Sequence, residues 1–107
     1  MAGEGPLFDD LLAVLRADPA VTRGMTFGHP AAKHGRRMFA CDYDGELVVK
    51  LGRERVDELV AAGRATRFDP LGGRPMRGWA QVPAPDGDLA AWVALAEEAK
   101  LLVADES

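Results

Sequence analysis

The chain has 107 residues, of which 48% are hydrophobic and 28% charged, with a net charge of −4 and a single cysteine. This length suits one domain, and the composition is typical of a soluble globular protein rather than a disordered tail. A single cysteine excludes an intrachain disulfide and a multi-cysteine metal site. No segment is apolar for long enough to span a bilayer. The first residues lack the basic region and apolar stretch of a signal peptide, so we expect a cytoplasmic protein.

Positive charge is concentrated in the middle of the chain. Residues 1–22 carry one Arg against four acids and residues 83–107 carry one Lys against six, whereas residues 23–82 carry eleven Lys and Arg against seven acids. The densest basic stretches are 33–37 and 64–77. Such a centre is a candidate for binding anions or nucleic acid, although binding through counterion release needs several phosphate contacts.

The N-terminal part is predicted to be an amphipathic helix followed by an antiparallel meander. Pro6 suits a first helical turn, and apolar residues recur at helical spacing as far as Leu15, before Asp18-Pro19 ends the pattern. From 23 to 51, short apolar pieces alternate with turn formers, which predicts three strands. Asp44-Gly45 is a strong hairpin signal, and the alternation over 46–51 predicts a strand with one buried face, formed by Leu47, Val49 and Leu51.

The second half is predicted to hold two helices and two strands. The first helix covers 53–62 and is closed by Gly63, and the last helix is capped by Asp88 and buries Trp92. Between them, 66–68 and 78–82 are predicted to be short strands. The order α-β(3)-α-β(2)-α predicts a two-layer α+β domain, with helices packed on one antiparallel sheet.

The two predicted strands are separated by the corner Phe68 to Trp79. Pro70, Gly72, Gly73 and Pro75 predict a sharp turn, after which Met76 and Trp79 are expected to anchor the returning strand in the core. Arg74 and Arg77 add positive charge to this corner. Gly72-Gly73-Arg74 offers backbone N–H groups to an anion, but Pro75 removes a donor, which disfavours a phosphate cradle.

Residues that could carry catalysis or bind a metal are few. Cys41 with His29 or His34 is the one nucleophile and base set that neighbouring strands could assemble, but the apolar surroundings of Cys41 favour a small buried thiol. The same three residues lack the paired spacing of a zinc site. The acidic group Asp42, Asp44 and Glu46 does not match a calcium loop and is predicted to be a solvated hairpin tip.

Four short motifs together resemble the TfoX N-terminal domain family and the related MmcQ/YjbR-like proteins. They are Met25-Thr26-Phe27-Gly28, Gly35-Arg36-Arg37-Met38-Phe39-Ala40, Leu47-Val48-Val49-Lys50-Leu51 and Gly73-Arg74-Pro75-Met76-Arg77-Gly78-Trp79. The resemblance covers roughly 7–102 and implies a cytoplasmic two-layer α+β domain with an antiparallel sheet and no required cofactor. In the best-known members this domain precedes a helical one, and the protein is a positive regulator of competence genes. Here His29 replaces a glycine common in the family, and the expected organisation is a single TfoX N-terminal-like domain over 1–107 with no second domain.

The resemblance and the residues together predict a non-enzymatic regulatory or protein-interaction module. Its partner is expected to be another protein or a second copy of the chain, with no catalytic residue, cofactor, metal or membrane involved. The candidate contact residues for a partner or an anion are Arg36, Arg37, Arg74 and Arg77. One alternative is a nucleic-acid-binding protein of the MmcQ/YjbR-like kind that uses the basic centre. The other is a small enzyme or ligand binder that uses Cys41 and His29.

Overall fold

The computed structural model describes residues 6–26, 28–70, 72–73, 76–84 and 89–106. Within these ranges the chain forms three helices and six strands. In chain order they are α1 (Pro6–Leu15), β1 (Val21–Thr26), β2 (His29–His34), β3 (Arg37–Tyr43), β4 (Glu46–Lys50), α2 (Arg53–Ala61), β5 (Thr66–Phe68), β6 (Met76–Val82) and α3 (Ala90–Glu106). None of these helices has the length and apolar character needed to cross a membrane.

The strands form one antiparallel sheet in the order β1-β2-β3-β4-β6-β5. The predicted two-layer α+β architecture is confirmed, but four strands precede α2 where three were expected. The missed strand is β2, whose Pro30 and preceding Gly28 look like turn formers in the sequence. Pro30 lies opposite Met25, whereas pairing with β3 begins only at Ala31, so Pro30 is tolerated at the start of the strand without a backbone N–H.

The main hydrophobic core lies between the helices and one face of the sheet. All three helices contribute, and the indole of the buried Trp92 donates a hydrogen bond from Nε1 to the carbonyl oxygen of Pro83 at 3.0 Å. The predicted cap Asp88 lies outside the described residues. Representative core residues are Phe8, Leu11 and Leu15 of α1, Val56 and Leu59 of α2, Leu47 and Val49 of β4, and Leu95, Ala99 and Val103 of α3.

A second, smaller apolar cluster covers part of the opposite sheet face. Because Val48 is fully buried there, the prediction that β4 has only one buried face is wrong. Met76 and Trp79 are partly buried against this cluster and not in the main core, which corrects their expected position. The fully buried members are Ala31, Cys41, Val48 and Phe68, and Met38 and Tyr43 also pack against them.

The predicted turns have the backbone geometry that their residues favour. Asp44 and Gly45 have φ angles of 54° and 82°, as a two-residue hairpin of type I′ requires. In the corner between β5 and β6, Gly72 and Gly73 have φ angles of 70° and 106°, and the Asp69 carboxylate accepts a hydrogen bond from the Gly73 N–H at 2.8 Å. The corner is therefore fastened by its own aspartate. Leu71, Arg74 and Pro75 lie outside the described residues.

Candidate functional site

The sheet register brings arginines that are distant in sequence to one end of the sheet. Strand β3 begins at Arg37, and its Ala40 pairs with Val49 near the end of β4. Beyond β4, the backbone N–H of Gly52 donates to the carbonyl oxygen of Gly78, next to Arg77, at 3.1 Å. Since β4 is the one strand between β3 and β6, the start of β3, which carries Arg37, and the start of β6, which carries Arg77, lie at the same end of the sheet.

The turn between β2 and β3 provides the first part of this end. His34 pairs with Arg37 across the turn, and Gly35 has a φ of 62° and donates its N–H to the carbonyl oxygen of Ala20 at 3.2 Å. Together with Arg36 these residues line a shallow depression of about 440 Å³. The side chains of both arginines of the turn are exposed.

Helix α2 and strands β5 and β6 provide the second part, a depression of about 390 Å³ lined by Arg53, Asp57, Arg67 and Arg77. Arg53 begins α2 and Asp57 lies one turn later, so both face the same side of the helix. Arg67 reaches this side from β5 and donates from Nη2 to Oδ1 of Asp57 at 2.7 Å. Three guanidinium groups against one carboxylate give the depression a local charge of +2. We call it the arginine pocket.

The predicted contact residues are thus partly brought together. Arg36, Arg37 and Arg77 lie at the same end of the sheet, whereas Arg74 is outside the described residues. Sequence reasoning missed Arg53 and Arg67, although the spacing of Arg53 and Asp57 and the position of Arg67 beside the corner were visible. We define the basic end as Arg36, Arg37, Arg53, Arg67 and Arg77.

The corner glycines do not present an open phosphate cradle. The N–H of Gly73 already donates to Asp69 at 2.8 Å, and the N–H of Gly72 points to the carbonyl oxygen of Asp69 at 3.4 Å. A ligand at this position would have to displace the Asp69 carboxylate. Among the described residues within this corner, the exposed positive charge is that of Arg77.

Cys41 does not form a nucleophilic pair with a histidine in this fold. It is fully buried, as its apolar surroundings predict, and burial, assisted by the neighbouring Asp42, raises the pKa of its thiol to about 12. The ring of His29 packs instead on Tyr43, with centroids 4.8 Å apart, and His34 lies at the β2–β3 turn. The thiol stays protonated and shielded at neutral pH, which removes the nucleophile from this set.

The acidic hairpin is not the solvated tip that the sequence predicts. Asp42 is buried at 1% exposure, and its Oδ1 accepts a hydrogen bond from the Gly45 N–H at 3.1 Å. Glu46 accepts a hydrogen bond from Nε2 of Gln81 at 2.9 Å, which leaves Asp44 as the exposed acid of the three. Over the ranges that the structure describes, no three or more His, Cys, Asp or Glu side chains are grouped to hold a metal ion.

Comparisons of the chain with protein-family models, with curated proteins and with solved structures find no match. Its function is therefore inferred from its own residues. The basic end is the strongest candidate, because it presents five exposed arginines, two in one depression and three in another, on a protein whose net charge is −4.

Proposed function

We propose that the chain is a non-enzymatic, cytoplasmic interaction module whose basic end binds an acidic segment of a protein partner. The observation that carries this proposal is that the sheet brings Arg77 to the same end as Arg36 and Arg37, which are 40 or more residues away in sequence, with Arg53 and Arg67 beside Arg77. Arginine is suited to this role because its planar guanidinium group forms two parallel hydrogen bonds with one carboxylate. A regulatory role rests on the resemblance to TfoX N-terminal domains alone.

A second copy of the chain is one partner with suitable chemistry. The terminal segments 1–22 and 83–107 carry net charges of −3 and −5, counted from one base against four acids and one base against six. They complement a basic end on another molecule, and such attraction weakens as salt is added. Sedimentation velocity at 50 and 300 mM salt separates the two kinds of partner: an oligomer at low salt that dissociates at high salt identifies the second copy.

Titration with a decapeptide of ten glutamates, followed by ¹⁵N–¹H NMR, tests the acidic-partner proposal directly. We expect shifts of the amide signals of Arg36, Arg37, Arg53 and Arg77, and a loss of binding in the Arg36→Gln/Arg37→Gln variant. Arg64→Gln is the matched control, since Arg64 is also exposed but lies in a depression with Glu46, at the opposite end of β4. Saturable binding that Arg64→Gln weakens as much as the double variant would refute the proposal.

Nucleic-acid binding is the alternative use of the same surface, because phosphates would contact the same arginines. It predicts binding of a duplex or single-stranded oligonucleotide with an affinity that falls steeply between 50 and 200 mM salt. If an oligonucleotide binds and the glutamate peptide of equal charge does not, the alternative replaces the protein-partner proposal.

The enzymatic alternative makes a separate prediction about Cys41. Since the pKa of its thiol is about 12, its thiolate population is negligible at pH 7.5, and a thiol reagent should react only after unfolding. Rapid modification of the folded protein at pH 7.5 would restore Cys41 as a candidate nucleophile.

A further inference from the structure

We propose that the arginine pocket binds a dianionic phosphate group, either as a phosphate monoester on the acidic partner or as inorganic phosphate. This inference rests on the proposed function, because it assigns a specific anion to part of the same basic end. The pocket differs from the rest of that end because its cations come from three elements, α2, β5 and β6, and face one shared depression.

The charge of the pocket favours phosphate over a single carboxylate. Arg53, Arg67 and Arg77 supply three positive charges and Asp57 one negative charge, which leaves +2. A phosphate monoester carries about −1.5 to −2 at neutral pH, whereas a carboxylate carries −1. A carboxylate would therefore leave half of the pocket's charge uncompensated, and a phosphate neutralises it.

The number and arrangement of donors agree with this assignment. Each guanidinium presents several N–H groups in a fixed plane, and three of them can approach the oxygens of one phosphate from different sides. The volume of about 390 Å³ lies within the range of small-ligand sites, so it accommodates the phosphate together with the group that bears it.

One arginine of the pocket is ion-paired and two are available. Arg67 donates from Nη2 to Oδ1 of Asp57 at 2.7 Å, a contact between exposed side chains that is weak in water. Arg53 and Arg77 form no ion pair with any residue that the structure describes.

The first test is titration with inorganic phosphate at pH 7.5, observed through the Nε–Hε signals of the arginine side chains. We expect saturable shifts of the Arg53, Arg67 and Arg77 signals with a dissociation constant of about 1 mM, which is realistic for so small a ligand. Acetate at equal ionic strength should bind about tenfold more weakly, because it carries half the charge. Equal affinity for acetate and phosphate, or no saturable response to phosphate, would overturn the assignment.

Two variants test the residues. Arg53→Gln should weaken phosphate binding about tenfold through the loss of charge-assisted hydrogen bonds, while the control Arg64→Gln leaves it unchanged. Asp57→Asn should strengthen binding about threefold, since it removes a negative charge within several ångströms of the dianion. Circular dichroism and thermal unfolding establish that each variant is folded. Weaker binding in Asp57→Asn would contradict the charge argument.

A final pair of titrations identifies the source of the phosphate. One acidic peptide is used with serine or phosphoserine at its centre, and each form is compared with inorganic phosphate. Tighter binding of the phosphoserine peptide than of phosphate or of the serine peptide assigns the pocket to a phosphorylated partner, whereas equal binding of the phosphoserine peptide and phosphate assigns it to the free anion.

If the serine peptide binds the basic end while phosphate does not bind the pocket, this inference fails and the proposed function stands. If phosphate binds and neither peptide contacts Arg36 and Arg37, the proposed function fails and the pocket stands.

Discussion

Helix α2 has arginines on two of its sides, and their partners differ. Towards α3, Arg55 donates from Nε and Nη2 to the two carboxylate oxygens of Glu98, at 3.0 and 3.1 Å, and from Nη1 to Glu58 at 3.1 Å. These hydrogen bonds, first those of Glu98 and then that of Glu58, raise the pKa of Arg55. Towards β6, Arg53 shares the arginine pocket with two other cations and one carboxylate.

A cluster of arginines in the sequence therefore does not predict which of them can bind a ligand. The guanidinium of Arg55 is satisfied within the protein and joins α2 to α3. In the arginine pocket the cations outnumber the acids three to one, which is the basis for proposing an external anion there. The position of the acids decides which arginine serves structure and which is available for binding.

The largest expected effect comes from removing charge on the pocket side. In an Arg53→Gln/Arg77→Gln variant we expect affinity for the glutamate decapeptide to fall about tenfold or more, since charge-assisted hydrogen bonds are lost. The free energy of unfolding should change by no more than about 0.5 kcal/mol, because both side chains are exposed. Isothermal titration calorimetry and urea unfolding measure the two quantities. A large loss of stability would place these arginines with Arg55.

A smaller effect is expected for Arg55→Gln, and it should fall on stability and not on peptide affinity. This change removes the contacts with Glu98 and Glu58, so we expect unfolding to become easier by about 1 kcal/mol at most, the upper range for exposed ion pairs. Peptide affinity should stay within twofold of the unsubstituted chain. Urea unfolding in low and high salt is the measurement. If Arg55→Gln weakens peptide binding as much as the double variant, the two sides of α2 do not differ in their availability for binding.

The smallest effect is expected for Glu58→Gln, which removes one contact of Arg55 but leaves both contacts with Glu98. The pair spans one helical turn between exposed side chains, and such pairs contribute about 0.2–0.5 kcal/mol. Thermal unfolding of Glu58→Gln beside Arg55→Gln therefore ranks the two glutamates. A loss as large as that of Arg55→Gln would mean that Glu58, and not Glu98, is the main partner.

Local sequence signals predicted much of the fold. Asp44-Gly45 predicts its hairpin because few residue pairs adopt two successive positive φ angles. Gly63, with a φ of 73°, ends α2 because glycine adopts a positive φ without steric cost. Strand β2 was missed because proline usually indicates a turn. Here Pro30 lies at the start of the strand, before the pairing with β3 begins, so its missing backbone N–H costs no hydrogen bond to β3. The burial of Val48 was missed because alternation shows which residues share a face and does not show that a second cluster covers the other face.

The candidate site was less predictable because it depends on register. Arg36, Arg37 and Arg77 were visible as basic residues near turns, but no local pattern states that β6 pairs with β4 and thereby brings Arg77 to the end that holds Arg37. Arg67 was missed for the same reason, since its contact with Asp57 joins a strand to a helix. Sequence periodicity predicts the faces of single elements, and the proximity of two elements requires the topology.

The position of β6 between β4 and β5 means that the basic end is complete only in the fully assembled fold. Arg36 and Arg37 belong to the β1–β4 meander, which consecutive hairpins can form, whereas Arg67 and Arg77 arrive with the β5–β6 pair and reach the meander only when β6 docks on β4. A ligand that contacts both groups of arginines would therefore stabilise the pairing of β6 with β4. At a concentration one hundred times its dissociation constant it would add about 2.7 kcal/mol to the free energy of unfolding. Binding at this end would thus make completion of the sheet itself responsive to the partner.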